Sequence, residues 1–273
     1  MTSTRERQRA AARARLEKEM AERAAAARKR RQWQVSIGAG VAVIVLAVGV
    51  VLLVNLAGDE GSNSTAADPS AGPVSCVWNE VPKGERTPTT KDVGVPPTTT
   101  PPSTGNKTMT VDTNFGKINI NMDLSKSPCS AESFSFLASK KFFDGTKCHR
   151  MFPGMLHCGD PSAKGKGYRE SDGTGGPAYR YANEYLPANE RPAYPAGVVA
   201  LANSGPDSNG SQFFFIYQDV ELQPDYTIIG KVDPAGLEVI KKATEKGHDG
   251  AFDPQPGGGH PKNDVNINAL TVS

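Results

Sequence analysis

Charge is missing where it would be most expected. No Asp, Glu, Lys or Arg occurs between Arg31 and Asp59, in a chain of 273 residues that is otherwise 22% charged. Basic excess is missing from nearly everything else. Residues 1–31 hold 11 Lys and Arg against 4 Glu, a balance of +7, so the remaining 242 residues carry 20 basic and 25 acidic groups, a balance of −5. A nucleic-acid-binding body needs positive charge spread over a folded face, and this distribution excludes one. Cysteine is absent from residues 1–75. The serine-hydrolase patterns Gly-x-Ser-x-Gly and Ser-x-x-Lys are absent throughout. With 28 Gly and 21 Pro, the chain has too many breakers for one long helical protein. Its 37% apolar residues are enough for one packed core.

The uncharged gap contains Val35 to Leu56, an almost unbroken run of Val, Ile, Leu, Ala and Gly. As a helix it would span roughly 33 Å, about the thickness of a bilayer's hydrocarbon core. A buried core helix of that length would carry a polar face. A cleaved signal peptide would have a shorter apolar region and a shorter basic lead. The run is therefore read as a single-span anchor over residues 35–57, behind a basic segment 1–34. Arg28 to Arg31 abut it on one side, and Asp59 and Glu60 follow on the other. The positive-inside rule then puts the N-terminus in the cytoplasm and the remainder outside the cell membrane.

Residues 58–105 read as a linker. From Asp59 to Lys107, 26 of 49 residues are Ser, Thr, Pro or Gly. Such a stretch cannot bury enough apolar surface to fold alone, and is expected to be disordered. Cys76-Val77-Trp78 does not belong in a pure spacer, and suggests a piece that docks back on the folded domain. The four cysteines, Cys76, Cys129, Cys148 and Cys158, all fall on the side read as extracytoplasmic. An even count in an oxidising compartment favours two disulfides. Three pairings are possible. Whichever contains Cys76 fastens the linker to the domain.

From residue 106 to 273 the pattern changes to short runs of period two. Thr108–Thr113 and Lys117–Met122 alternate strictly, with Asn114-Phe115-Gly116 as a hairpin turn between them. Further strands fit around 147–152, 155–159, 197–203, 212–217, 226–232 and 264–272. A helix is expected from Ser127 to about Ser139. A second is expected over roughly 234–246, with Asp233 as cap and Pro234 in the first turn. Many strands with two helices indicate a closed antiparallel barrel.

Three clusters carry chemistry. The first is Phe142-Phe-Asp-Gly-Thr-Lys-Cys-His-Arg150, followed by Pro153-Gly154. The second runs from Ala202-Asn203-Ser204 to Ser211-Gln212-Phe213-Phe214. The third is Asp225-Tyr226-Thr-Ile-Ile-Gly-Lys-Val232. In this order and spacing they resemble the cyclophilin family of peptidyl-prolyl cis–trans isomerases, over about residues 106–273. The basic lead, single span, Pro/Thr linker and four cysteines resemble its membrane-anchored actinobacterial members. The resemblance implies a mainly β fold, an eight-stranded antiparallel barrel capped by two helices, with its site in a groove on the outer face. It implies proline-containing polypeptides as substrates and no cofactor or metal.

The same resemblance implies roles. Arg150 would be the donor to the prolyl nitrogen. Phe214 and Leu222, with Met155 or Leu156, would line the proline pocket, and Phe213 would point into the core. Gln212 would hydrogen-bond a substrate carbonyl, and shares the groove face only if its strand bulges or begins there. Asn203, flanked by Ala202 and Ser204, would offer backbone groups to the residue before proline. Gly173 would edge a neighbouring pocket. The chain departs from the family pattern in four places. His157 stands where Gln is usual. The segment from His149 to His157 is one residue short, which leaves Met155 and Leu156 as alternatives. Glu221 replaces a common Trp, which implies weakened cyclosporin binding. Tyr226 replaces a His while keeping an aromatic wall. Residues 161–172 look like an insertion, whose Lys164, Lys166 and Arg169 face either substrate or solvent.

Cys148-His149 and His157-Cys158 invite a zinc reading. Adjacent side chains in a strand face opposite ways, so these four groups cannot easily converge on one ion. The same alternation argues against pairing Cys148 with Cys158. Gly257-Gly-Gly259 precedes no strong helix and is read as a loop. Beside the enzyme stands a second reading, a non-catalytic proline-peptide-binding or chaperone module at the cell surface.

Overall fold

The computed structural model describes residues 74–187, 190–254 and 257–273. The basic segment 1–34 and the span 35–57 lie outside the described residues. Among the described residues, no helix is long and apolar enough to cross a membrane.

The strands run in chain order as β1 (Asn79–Glu80), β2 (Thr90–Lys91), β3 (Asn106–Thr113), β4 (Gly116–Asp123), β5 (Thr146–Lys147), β6 (Arg150–Phe152), β7 (Met155–Cys158), β8 (Gly176–Pro177), β9 (Tyr179–Arg180), β10 (Val198–Leu201), β11 (Phe213–Ile216), β12 (Ile228–Val232) and β13 (Asn266–Val272). Helix α1 spans Pro128–Ser139 and α2 spans Pro234–Thr244. Nine strands form one sheet in the order β5-β13-β3-β4-β12-β10-β11-β7-β6. Its two ends, β5 and β6, are consecutive in the chain and separated only by Cys148-His149. The sheet thus has nine strands where eight were expected, because Cys148-His149 interrupts one of them.

Alternation explains the wall. Met109, Val111, Ile118, Ile120 and Met122 are buried, while their neighbours in β3 and β4 are not. The inward residues meet Phe134 and Leu137 of α1 and Ile240 of α2 in one core. Asp233 caps α2 by accepting from Gly236 N–H at 2.6 Å. Ser127 makes no such bond for α1. The Glu184 carboxylate does so instead, accepting from the Cys129 and Ser130 N–H groups at 2.8 Å each. That capping group comes from 55 residues away and has no local sequence signature.

The expectation of a disordered linker reaching residue 105 is corrected from Val74 onward. Cys76 is bonded to Cys129 at the start of α1. Trp78 packs edge-on against Tyr179 and Tyr181, at 5.7 and 5.5 Å, and its Nε1–H donates to Thr98 O at 3.1 Å. β1 pairs with β9, and β2 pairs in parallel with β8. Pro96 and Pro101 are buried. The segment has no core of its own and borrows the barrel's, which composition alone does not reveal.

The second disulfide joins Cys148 to Cys158, the pairing that strict alternation argued against. The reason lies in the break between β5 and β6. Cys148 belongs to neither strand, and its N–H donates to Val265 O at 2.9 Å, toward β13. Freed from the pleat, its side chain turns to the inner face, where Cys158 lies.

The Cys76–Cys129 bridge closes a loop of 53 residues. Loops of that size stabilise a fold by about 2–4 kcal/mol. Cys76→Ser should lower the urea-unfolding free energy by about that amount, while the far-UV circular dichroism of the folded protein is unchanged. An unchanged unfolding midpoint would mean that Trp78 and the β1 and β2 pairings hold the strap without the bridge.

Candidate active site

Three neighbouring strands set the outer face. Arg150 pairs with His157 and Phe152 with Met155 across β6 and β7. His157 in turn pairs with Phe214, and Met155 with Ile216, across β7 and β11. Cross-strand partners share a face. Arg150, Phe152, Met155, His157 and Phe214 therefore stand together on one side. Met151, Leu156, Cys158, Phe213 and Phe215 belong to the core on the other. This resolves the Met155 and Leu156 alternatives in favour of Met155. Leu156 is 1% exposed inside the barrel and does not line the groove.

Outside the barrel, Phe214 joins a second apolar cluster. Tyr194, Val198, Ala200 and Ile228 are buried in it, and Met155, Ala202, Val220, Leu222 and Tyr226 are partly buried against it. Phe214 meets Tyr226 edge-on at 5.4 Å and His157 at 6.2 Å. Tyr194, which sequence reasoning missed, fixes this wall. Its hydroxyl donates to Tyr226 O at 3.1 Å and accepts from Tyr226 N–H at 3.0 Å. Met155, Phe214, Leu222 and Tyr226 thus belong to one apolar cluster on the outer face.

Arg150 stands on the same outer face, across His157 from Phe214. Its Nη2 donates to Gly257 O at 3.0 Å, and its guanidinium lies over the Phe152 and Phe252 rings at 4.1 and 5.0 Å. Among the described residues, no carboxylate pairs with it, and its Nε is buried without a partner. Burial draws its pKa down from the ordinary arginine value, yet a guanidinium stays charged.

A neighbouring pocket of about 300 Å³ is lined by His157, Gly173, Asn203, Ser204 and Gln212, among others. Gly173 has φ +95°, and a Cβ there would press on the His149 ring at 3.1 Å. Asp160 holds the turn, accepting from Gly173 N–H at 2.5 Å and Gly175 N–H at 3.2 Å. Gln212 lies just ahead of β11, at the strand start. Its Nε2 donates to Gly173 O at 2.8 Å and Gly175 O at 2.7 Å. An amide nitrogen has two hydrogens, and both are engaged. The expected bond from Gln212 to a substrate carbonyl is corrected accordingly: the group it can offer a ligand is an acceptor, Oε1. The Asn203 amide is engaged too, donating to Asp225 O at 2.9 Å and accepting from Gly205 N–H at 3.2 Å. One N–H of the Asn203 amide remains unengaged, beside its main chain, for a ligand. Ser204 is exposed at the pocket edge, and Ala202 N–H donates to Gln212 O at 2.9 Å.

The 161–172 insertion is tied to the protein itself. Lys147, only 1% exposed, donates to the carbonyls of Gly165 and Gly167 and lies 4.4 Å over the Tyr168 ring. Lys164 donates to Asp144 O at 2.8 Å, and Arg169 pairs with Asp172 at 2.7 Å. Both sulfurs of the zinc reading are bonded to each other. Among the described residues, no three His, Cys, Asp or Glu side chains are grouped to hold a metal.

The model of the cyclophilin type peptidyl-prolyl cis-trans isomerase family matches residues 108–272. This chain belongs to that family. It is 39% identical over 174 residues to the probable peptidyl-prolyl cis-trans isomerase B of Mycobacterium leprae, covering 59% of this chain and 55% of that protein. It is 38% identical to the protein of that name in Mycobacterium tuberculosis, covering 52% of it. The chain spans about half the length of these two relatives. It matches 94% of the peptidyl-prolyl cis-trans isomerase-like 3 of Rattus norvegicus at 33% identity. A crystal structure of a cyclophilin type isomerase from Cryptosporidium parvum shares the fold, with a TM-score of 0.50 and 21% identity, over 62% of this chain and 98% of that one.

The His149 and His157 rings lie 4.6 Å apart with their planes tilted by 49°, and three of their ring nitrogens are buried without partners. Burial first, then Arg150, His260 and Lys147, push the His149 pKa down to about 3. Burial and the neighbouring His149 and Arg150 hold His157 well below its ordinary value, against a smaller pull from Asp160. Both rings are neutral in the folded state. Below pH ~6.5 the unfolded chain takes up protons that the folded one refuses. Stability is thus whole above ~6.5 and is lost toward pH 3, with a slope approaching ~1.4 kcal/mol per pH unit for each ring. Urea unfolding at a series of pH values should show this, and His157→Gln should remove one ring's share. A pH-independent unfolding free energy from 7 to 4 would contradict it.

Proposed function

We propose that this domain is a working peptidyl-prolyl cis–trans isomerase that accelerates folding of extracytoplasmic proteins. An Xaa-Pro amide resists rotation because its C–N bond has partial double-bond character, with a barrier of ~18–20 kcal/mol. Unaided exchange takes roughly tens to hundreds of seconds. No bond is made or broken, so the site needs no nucleophile. It needs stabilisation confined to the twisted amide.

Two parts of the outer face are suited to that task. The apolar cluster of Met155, Phe214, Leu222 and Tyr226 would hold the prolyl ring away from water. There the polar, planar amide is disfavoured relative to the twisted one. Arg150 would then donate to the prolyl nitrogen as its lone pair localises. The observation that carries this reading is that, among the described residues, the Arg150 charge on the face of this apolar cluster has no carboxylate on it. A salt bridge would have neutralised the field that the twisted state requires. A gain of about 5 kcal/mol in that state alone corresponds to on the order of 10⁴-fold acceleration. Gln212 Oε1 and the Asn203 main chain would align the peptide on either side.

Placement outside the membrane is supported by two disulfides, which persist in oxidising compartments. It is supported also by the apolar run 35–57 with Arg28 to Arg31 before it. Under this reading the strap of residues 74–105 begins where the tether from the membrane arrives.

Arg150→Ala should lower kcat/KM on an Ala-Pro-Phe peptide in a protease-coupled assay by about 10²- to 10³-fold, the usual cost of an electrostatic donor. The circular dichroism should not change. Met155→Ala should act chiefly by raising KM. If wild type and Arg150→Ala are equally inactive while still binding the peptide, the domain is a non-catalytic binding module.

A further inference from the structure

Among the described residues Arg150 has no counter-ion to hold it, and its cross-strand neighbour His157 makes no bond to it. Something else must fix a long, flexible side chain on this face. The loop between α2 and β13 does so. Gly259 N–H donates to Met151 O at 3.0 Å, and Met151 N–H donates to Gly259 O at 2.8 Å, which staples this loop to β6 beside Arg150. Gly258, at φ +77°, passes so close to Met151 that a Cβ would collide with its carbonyl. Within the loop, Phe252 N–H donates to Gly258 O at 3.0 Å, Gly257 N–H to Phe252 O at 2.9 Å, and Gly258 N–H to Asp253 Oδ1 at 2.9 Å. These bonds set one carbonyl, Gly257 O, and one ring, Phe252, at the guanidinium. Phe152 covers it from β6 itself. His260, bonded to Asp249 at 2.9 Å, meets the Phe252 ring edge-on at 4.8 Å and backs it.

We propose that Phe252 is a positioning residue for isomerisation, holding the Arg150 guanidinium by its ring face so that the charge is oriented without being neutralised. The inference rests on Arg150 being the donor. A ring face attracts a guanidinium yet accepts none of its strong hydrogen bonds. It therefore fixes the plane and leaves the remaining N–H groups for a ligand. A carboxylate in the same place would fix the side chain and quench its field.

The test compares wild type, Phe252→Leu, Phe252→Tyr and Arg150→Ala, with kcat and KM determined separately on an Ala-Pro-Phe peptide. Leu keeps the bulk and loses the π face; Tyr keeps both. Phe252→Leu should lose about three- to tenfold in kcat with KM within about twofold, the range a cation–π contact gives through the rate law. Phe252→Tyr should stay within about twofold of wild type. In NMR spectra of the folded proteins, the Arg150 side-chain signals should show a ring-current shift that Tyr retains and Leu diminishes. Equal kcat for Phe252→Leu and wild type overturns the proposal, as does a loss expressed in KM alone or an equal loss in Tyr and Leu. If Arg150→Ala is inactive while Phe252→Leu matches wild type, the donor reading stands and only the role of Phe252 falls. If Arg150→Ala keeps full activity, the donor reading itself fails and this inference with it.

Discussion

Hydrogen bonding along β6, β7 and β11 sets Arg150 opposite His157, and His157 opposite Phe214. That register puts a charge, an aromatic ring and a thioether on the outer wall of the barrel. A shift of one residue would send Arg150, Met155 and Phe214 into the core and bring Met151, Leu156 and Phe213 out. The inner residues prevent the slip. Phe213 and Phe215 meet edge-on at 5.3 Å, and Phe213 meets Phe134 of α1 at 5.8 Å. The packing of the core thus fixes the geometry of the groove, though the two lie on opposite faces.

The break between β5 and β6 gives the wall its local irregularity. It turns Cys148 inward to Cys158, and leaves His149 3% exposed beside His157. Two neutral rings with unpartnered nitrogens are a costly arrangement. They sit behind Gly173 and the neighbouring pocket, where a charged pair would repel Arg150. Keeping both rings neutral thereby preserves the local field of the guanidinium.

Support for the groove comes from segments distant in sequence. Gln212 ties β11 to the Gly173–Gly175 turn, and Asp160 holds the same turn from behind. Tyr194 fastens Tyr226. The strap from Cys76 to Pro101 covers the opposite side of the core with Trp78 against Tyr179 and Tyr181. Each is a polar or aromatic contact between residues tens of positions apart. Together they fasten the shell that surrounds a small reacting surface.

The amino-acid order by itself determined the period-two strands, the Asp233 cap and both helices, which are local patterns that alternation and capping translate directly into faces and ends. The order and spacing of three clusters carried the family, and the expected grouping of Arg150, Phe214, Leu222 and Tyr226 came only through that resemblance. It also marked Cys76-Val77-Trp78 as a piece that returns to the domain. Only the tertiary structure decided which cysteines join, because a break in a strand cancels the alternation that sequence reasoning must assume. Only it chose Met155 over Leu156, since that choice depends on register across β6 and β7. It reversed the expected use of Gln212, whose two hydrogens are taken by carbonyls 39 and 37 residues away. And it gave Phe252 and Gly257 a place at Arg150, 107 residues apart along the chain in the case of Gly257, through a loop whose sequence shows glycines and nothing of what they approach.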